Sequence, residues 1–147
     1  MQPEITIDDL AIFIRNVQGF DTLSAKEVGS LIAPIISIVM YAPGQAIINH
    51  GDIGRSIFFL YQGVVRADIH INKLKTEHYD MQKGEIFGDL ALVTNAKRSA
   101  DVIAVTEACC LVIDIETFQE LMKNNWKITQ SIASLVGRRR IEQRPGY

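Results

Sequence analysis

Chemistry-bearing residue types gather in one stretch of this sequence, residues 83–102, where Gly88 is followed ten positions later by Arg98. Gly88 lets the backbone take a positive φ or come close to a ligand. Leu90-Ala91-Leu92 can open a short helix, whose free N–H groups suit an anion. Arg98 stands just before a β-patterned run (Ala100, Val102, Ala104), so a planar cationic fork is held at a strand's edge. A guanidinium so placed could bind phosphate oxygens in a bidentate way. This chemistry is anion recognition. An arginine near a glycine is more often an ordinary surface residue, and on spacing alone both readings stand.

Other candidates are weaker. His50, His70 and His78 lack the His-x-His pairing of a cupin metal site and read as surface or turn residues. Cys109 and Cys110 are adjacent, so on a strand they point to opposite faces and a bridge between them would be strained. With no further cysteine there is neither a disulfide framework nor a thiolate metal site, and buried thiols in a reducing compartment are expected. No nucleophile–base pair, metal cluster or triphosphate-binding loop stands out, so an enzyme is not expected.

The elements that must position the 83–102 segment are legible. Leu10, Phe13, Ile14 and Val17 form one helical stripe, with Thr6 as cap and Gly19 as terminator. Ser24 and Glu27 make a capping box for a second helix, flanked by Leu23 and Val28 as a hydrophobic staple and closed by Pro34. From 35 to 113 the pattern becomes short strands cut by glycines at 44, 51, 63 and 84, the signature of a sandwich or barrel. Val65, Ala67, Ile69 and Ile71 share one face of a strand, and Arg66, Asp68 and His70 the other. Residues 56–61 are apolar on both faces and are expected to lie deeper, while residues 72–77 read as an exposed hairpin tip. Asp114 caps a helix with Ile115, Phe118, Leu121 and Met122 on its apolar face. A last helix follows Asn124-Asn125, with the stripe Ile128, Ile132, Leu135 and Val136 and then Arg138, Arg139 and Arg140. Trp126 reads as a packing anchor between these two helices. The arginine run reads as a solvated helix C-terminus.

The chain has 147 residues, of which 48% are apolar and 22% charged, and a formal charge of −2. One domain spanning 1–147 is expected: N-terminal helices over 6–34, the β unit over 35–113 and C-terminal helices over 114–141. The weak net charge gives no reason to expect nucleic acid or an anionic membrane as partner. Residues 31–42 are the longest apolar run, broken by Pro34 and far short of the ~20 residues of a membrane span. Met1-Gln2-Pro3-Glu4 does not open a signal peptide, so the cytoplasm is expected.

Phe87-Gly88-Asp89-Leu90-Ala91-Leu92 followed by Arg98-Ser99-Ala100 resembles the phosphate-binding cassette of cyclic-nucleotide-binding domains, of the catabolite activator and protein kinase A regulatory subunit type. Ala42-Pro43-Gly44-Gln45, His50-Gly51-Asp52 and Ser56-Ile57-Phe58-Phe59-Leu60 with Gly63 are similar to that family's early strands and turns. The resemblance runs from about Phe20 to Asn125 and places the cassette over 84–101. It implies a mainly β fold with flanking helices: an antiparallel jelly-roll-like β-barrel (double-stranded β-helix) with N-terminal helices and two C-terminal helices. It implies further that Arg98 pairs with the cyclic phosphate. Gly88, Leu90 and Ala91 line the sugar-phosphate through their backbone, Ser99 and Ala100 finish the phosphate cradle, and Phe87 counts among the ligand-binding positions. Asp89 stands where the family has the glutamate that accepts from the ribose 2′-hydroxyl. It is one methylene shorter, so that contact lengthens or takes a water. Lys97 stands where the family often has proline.

The resemblance makes the chain a non-catalytic regulatory module that senses cyclic AMP or cyclic GMP. It would pass a conformational change through its C-terminal helices to a partner or fused effector. The alternative is a degenerate fold acting as an interaction scaffold, a reading that Asp89 favours. No cofactor is expected, and Ser99 leans the ligand toward cyclic AMP. Expected partners are the cyclic nucleotide itself and either an effector protein or a second copy met through the last helix. Too few residues follow Ile141 for a DNA-reading helix-turn-helix.

Overall fold

The computed structural model describes residues 2–92 and 97–141. Met1, residues 142–147 and Val93, Thr94, Asn95 and Ala96 of the variable stretch lie outside the described residues, as do the side chains of Leu90, Ala91, Arg138, Arg139, Arg140 and Ile141. In chain order the elements are α1 (Ile7–Arg15), α2 (Ala25–Glu27), β1 (Ser37–Tyr41), β2 (Ala46–Ile48), β3 (Ser56–Gln62), β4 (Val65–Asn72), β5 (Lys75–Met81), β6 (Ile86–Phe87), β7 (Ala100–Ala104), β8 (Ala108–Asp114), α3 (Ile115–Asn124) and α4 (Trp126–Ile141).

The helix starts form as their caps dictate. Thr6 accepts from the Asp9 amide and Asp9 from the Thr6 amide, a reciprocal box at the head of α1. Ser24 and Glu27 repeat it at α2, with Leu23 and Val28 buried on either side. Two ends differ from expectation. α1 stops at Arg15, capped by Asn16, four residues before Gly19. α2 keeps α-helical winding only to Glu27, then widens to a π turn over Val28–Ile32 and tightens to a 3₁₀ turn over Ala33–Ile35. Pro34 therefore sits inside the 3₁₀ turn, in the first turn where its missing N–H costs nothing.

The strands form two four-stranded antiparallel sheets, ordered β1-β8-β3-β6 and β2-β7-β4-β5. The pairing is nested: β1 with β8, β2 with β7, β3 with β6 and β4 with β5. The expected closed barrel is not formed. A barrel needs every strand paired on both sides, whereas among the described residues β1, β6, β2 and β5 each have one ladder neighbour. With only two residues, β6 is too short to carry the ladder further.

Alternation along β3 explains why residues 56–61 are apolar on both faces. Phe58 and Leu60 enter the layer between the sheets, with Val65, Ala67, Phe87, Ala100, Val102 and Cys110. Ile57 and Phe59 point the other way, into a second core under the helices with Ile14, Phe20, Leu111 and Phe118. β3 is thus the wall shared by two cores, and period two supplies both. Cys109 and Cys110 are buried free thiols on β8, and burial, with a smaller push from Cys109, raises the Cys110 pKa to about 12.

Two expectations about apolar stripes need correction. Ile71 is 50% exposed and Ile69 only half-buried, because β4 pairs with β7 only as far as Ile69 and continues as a two-stranded ribbon with β5. Trp126 is 67% exposed at the first position of α4 and is no packing anchor. Ile128, Ile132 and Leu135 are buried in the helical core and Val136 packs against it, so this stripe is core and not a free seam.

Candidate functional site

Phe87 ends β6, buried in the inter-sheet layer, where its ring stacks on Phe58 with centroids 4.8 Å apart. The chain then turns at Gly88, whose φ is +78°, into a 3₁₀ turn over Asp89–Leu92. A Cβ at Gly88 would meet Arg98 Nη1 at 2.9 Å, the Ser56 carbonyl oxygen at 3.0 Å and Phe58 Cδ1 at 3.1 Å. Glycine is required twice over, by backbone conformation and by crowding.

Crowding at Gly88 comes from Arg98. Its guanidinium crosses back over the Phe58 ring, Cζ 6.0 Å from the centroid. Nη1 donates to the Gly88 carbonyl at 2.9 Å and Nη2 to the Ser56 carbonyl at 2.6 Å. Arg98 is 7% exposed and Asp89 1%, so a cation and a carboxylate are buried together. Burial pulls the Arg98 pKa below its ordinary value while the Asp89 carboxylate works to raise it. Arginine nevertheless stays protonated under such shifts.

Main-chain bonds fix Arg98 from the other side. Its N–H donates to the Asp52 carbonyl at 2.7 Å, and its carbonyl accepts from the Gly51 N–H at 2.9 Å. Lys97, exposed, forms an isolated bridge with Ile53. Ser99 is exposed, and Ala100 is buried at the start of β7. Phe87, Gly88, Asp89 and Arg98 therefore converge, with Ala100 in the same inter-sheet core. Leu90 and Ala91 are placed by backbone within the 3₁₀ turn. That turn is tied to the C-terminal helices, since Gln119 Nε2 of α3 donates to the Leu92 carbonyl at 3.2 Å.

Spacing did not point to Ser56, Asp52 or Phe58 as supports of Arg98. Ser56 and Asp52 act through main-chain carbonyls, which any residue type supplies, so a residue pattern could not single them out. The histidines lie at the surface as read: His78 Nδ1 is 2.6 Å from Asp68 Oδ1, and His70 Nε2 is 2.8 Å from Asp101 Oδ2. Two clefts of the described surface lie elsewhere. One, about 410 Å³, is lined by Phe13, Tyr61 and Lys83 among others, and the other, about 640 Å³, lies between Leu31 and Leu121.

The family model for the cyclic nucleotide-binding domain matches residues 38–125, and the chain belongs to that family. A cAMP-dependent protein kinase regulatory subunit from Colletotrichum orbiculare is 36% identical over 110 residues, 75% of this chain and 27% of that protein. The human cGMP-dependent protein kinase 2 is 34% identical over 116 residues, 74% of this chain and 14% of that one. This chain thus spans between a seventh and about a quarter of the length of these relatives. Among solved structures, the Thermus thermophilus catabolite activator protein superposes with a TM-score of 0.77 at 25% identity, covering 85% of this chain and 59% of that one. The regulatory domain of Toxoplasma gondii PKA, solved with cAMP, matches in fold with a TM-score of 0.77, covering 92% of this chain and 50% of that chain.

Proposed function

We propose that this chain is a cyclic-nucleotide-binding regulatory module, non-catalytic in itself, and that its ligand is cyclic AMP in preference to cyclic GMP. The observation that carries this reading is the buried Arg98 guanidinium anchored behind the Gly88 turn in a chain of this family. In this reading Arg98 meets the equatorial oxygens of the cyclic phosphate by charge-assisted bonds. The backbone of Gly88, Leu90 and Ala91 lines the sugar-phosphate, and Ser99 and Ala100 close the cradle. Asp89 accepts from the ribose 2′-hydroxyl, and Phe87 walls the cassette from within.

The nested strand pairing supports a jelly-roll-like sandwich as the frame. The bond from Gln119 to Leu92 supports a route for the signal, from cassette to α3 and then α4, which the Lys127–Glu27 ion pair at 3.2 Å joins to α2. Only a ligand that prefers one arrangement of these helices can shift them. The receiver is an effector, fused or separate, in a cytoplasmic setting. Thermal-shift titration with both nucleotides tests the reading. Stabilisation by mass action with cyclic AMP, and less with cyclic GMP, is expected, and no shift with either would contradict it.

A further inference from the structure

The main chain of Arg98 is gripped by one turn, and that turn is itself held by a side chain the cassette pattern does not include. The turn is closed by the Asp52 N–H donating to the Asn49 carbonyl at 3.1 Å. Gly51 donates to the Arg98 carbonyl and Asp52 accepts from the Arg98 N–H, so both main-chain groups of the arginine end on it. The remaining residue, His50, donates its N–H to Asp101 Oδ1 at 2.7 Å. Asp101 stands three positions after Arg98, on the outer face of β7, with its other oxygen 2.8 Å from His70 Nε2 on β4. An ionised carboxylate only accepts, so Nε2 carries the proton. His70 is steadied by Thr76 Oγ1 at 3.3 Å from Nδ1 and by an edge-on contact with the His50 ring, centroids 5.4 Å apart.

We infer that Asp101, backed by His70, is a positioning residue: an outer-face bracket that locks the 49–52 turn onto β7 and so fixes the site of Arg98 on the inner face. Three consecutive turn residues bind the four-residue stretch 98–101 through three hydrogen bonds, His50 to Asp101, Gly51 to the Arg98 carbonyl and Asp52 from the Arg98 N–H, while a fourth, from Asp52 to Asn49, closes the turn on itself. Without the carboxylate, the His50 bond is lost, and the two bonds to the Arg98 main chain lose the side-chain contact that ties their turn to β7. Pre-organisation of a cationic fork matters because a fork that must first be ordered binds an anion more weakly. The inference rests on the proposed ligand site for its functional consequence, but the bracket itself is a property of the chain.

The test is hydrogen exchange of the Gly51 and Arg98 amides, together with calorimetric titration of cyclic AMP, on wild type, Asp101→Ala, Asp101→Asn, Arg98→Lys and the Arg98→Lys/Asp101→Ala pair. Asp101→Ala is expected to speed exchange at both amides and to weaken binding about tenfold, the worth of one charge-assisted bond. Asp101→Asn, which keeps an acceptor for the His50 N–H, restores most of both. In the Arg98→Lys background the alanine change costs little further affinity, because positioning acts through the arginine. Equal losses in both backgrounds, or unchanged exchange and affinity in Asp101→Ala, would overturn the bracket. A wild type that binds no cyclic nucleotide while the amides still respond would instead overturn the ligand reading and leave the bracket standing.

Discussion

Arg98 Nη1 donates to the Gly88 carbonyl at 2.9 Å, and the same nitrogen lies 2.9 Å from where a Cβ at Gly88 would stand. Arginine and glycine are thus matched in space, the absence of one side chain making room for the other. Gly88→Ala meets both a positive φ and this contact, with the Ser56 carbonyl as a rigid second neighbour. A loss of about 1–3 kcal/mol in urea denaturation is expected, with weakened cyclic AMP binding. Wild-type stability in that variant would show that the turn is not constrained as described.

Asp89 is expected to act on the ribose. Wild type should bind 2′-deoxy cyclic AMP more weakly than cyclic AMP by up to about tenfold, one hydrogen bond's worth. In Asp89→Ala the two ligands should bind alike, as paired calorimetric titrations would read. A preference that survives the substitution assigns the hydroxyl to another partner.

Acid lability follows from the outer face of the second sheet. Asp101 has its pKa lowered by the His50 amide first and His70 next. For Asp68, burial acts to raise the pKa, but hydrogen bonds from Arg66 and His78 outweigh it and leave it lowered. A depressed folded-state value means that the stabilisation is present above the unfolded carboxylate pKa of about 3.9 and is lost as pH falls through the folded value. Urea midpoints are therefore expected to hold down to about pH 4 and fall below it. The double variant Asp68→Asn/Asp101→Asn should fall less steeply, and an identical slope would remove these two groups from the account.

Ile132 tests where the last helix belongs. It is buried in the helical core, so Ile132→Ala is expected to cost about 2–5 kcal/mol. That loss should not depend on protein concentration. A seam between two copies would instead show concentration-dependent stability in denaturation and a changed mass in sedimentation.

Local signals carried much of this fold into the sequence. Ser24 and Glu27 announce a helix start because a capping box satisfies backbone donors with two side chains three apart, and that geometry needs nothing distant. The double apolarity of residues 56–61 announced a strand that lies deep, and the structure makes it a wall between two cores. Long-range geometry was less visible. Ile71 fits its strand's period, yet its burial depends on where β7 stops, and Trp126 has a core residue's chemistry at a position where α4 begins in solvent. Closure of the sheets likewise depended on long-range pairing, since β1, β6, β2 and β5 each have one ladder neighbour among the described residues.

At the site, Gly88 and Arg98 were legible because a missing side chain and a guanidinium are what their observed contact needs. The carbonyls of Ser56 and Asp52 were not, since they come from main chain folded beside Arg98 from more than forty positions away. Asp101 lay in plain view three residues after Arg98. It had no signal as a support, because its partner is a backbone amide at residue 50.

Calorimetric titration of cyclic AMP into wild type and Arg98→Ala tests the central claim most directly. Saturable binding to wild type, weakened about 10- to 100-fold or more in the variant, is the result the account predicts. Undiminished affinity in a folded Arg98→Ala variant would contradict it and place the ligand elsewhere on the molecule.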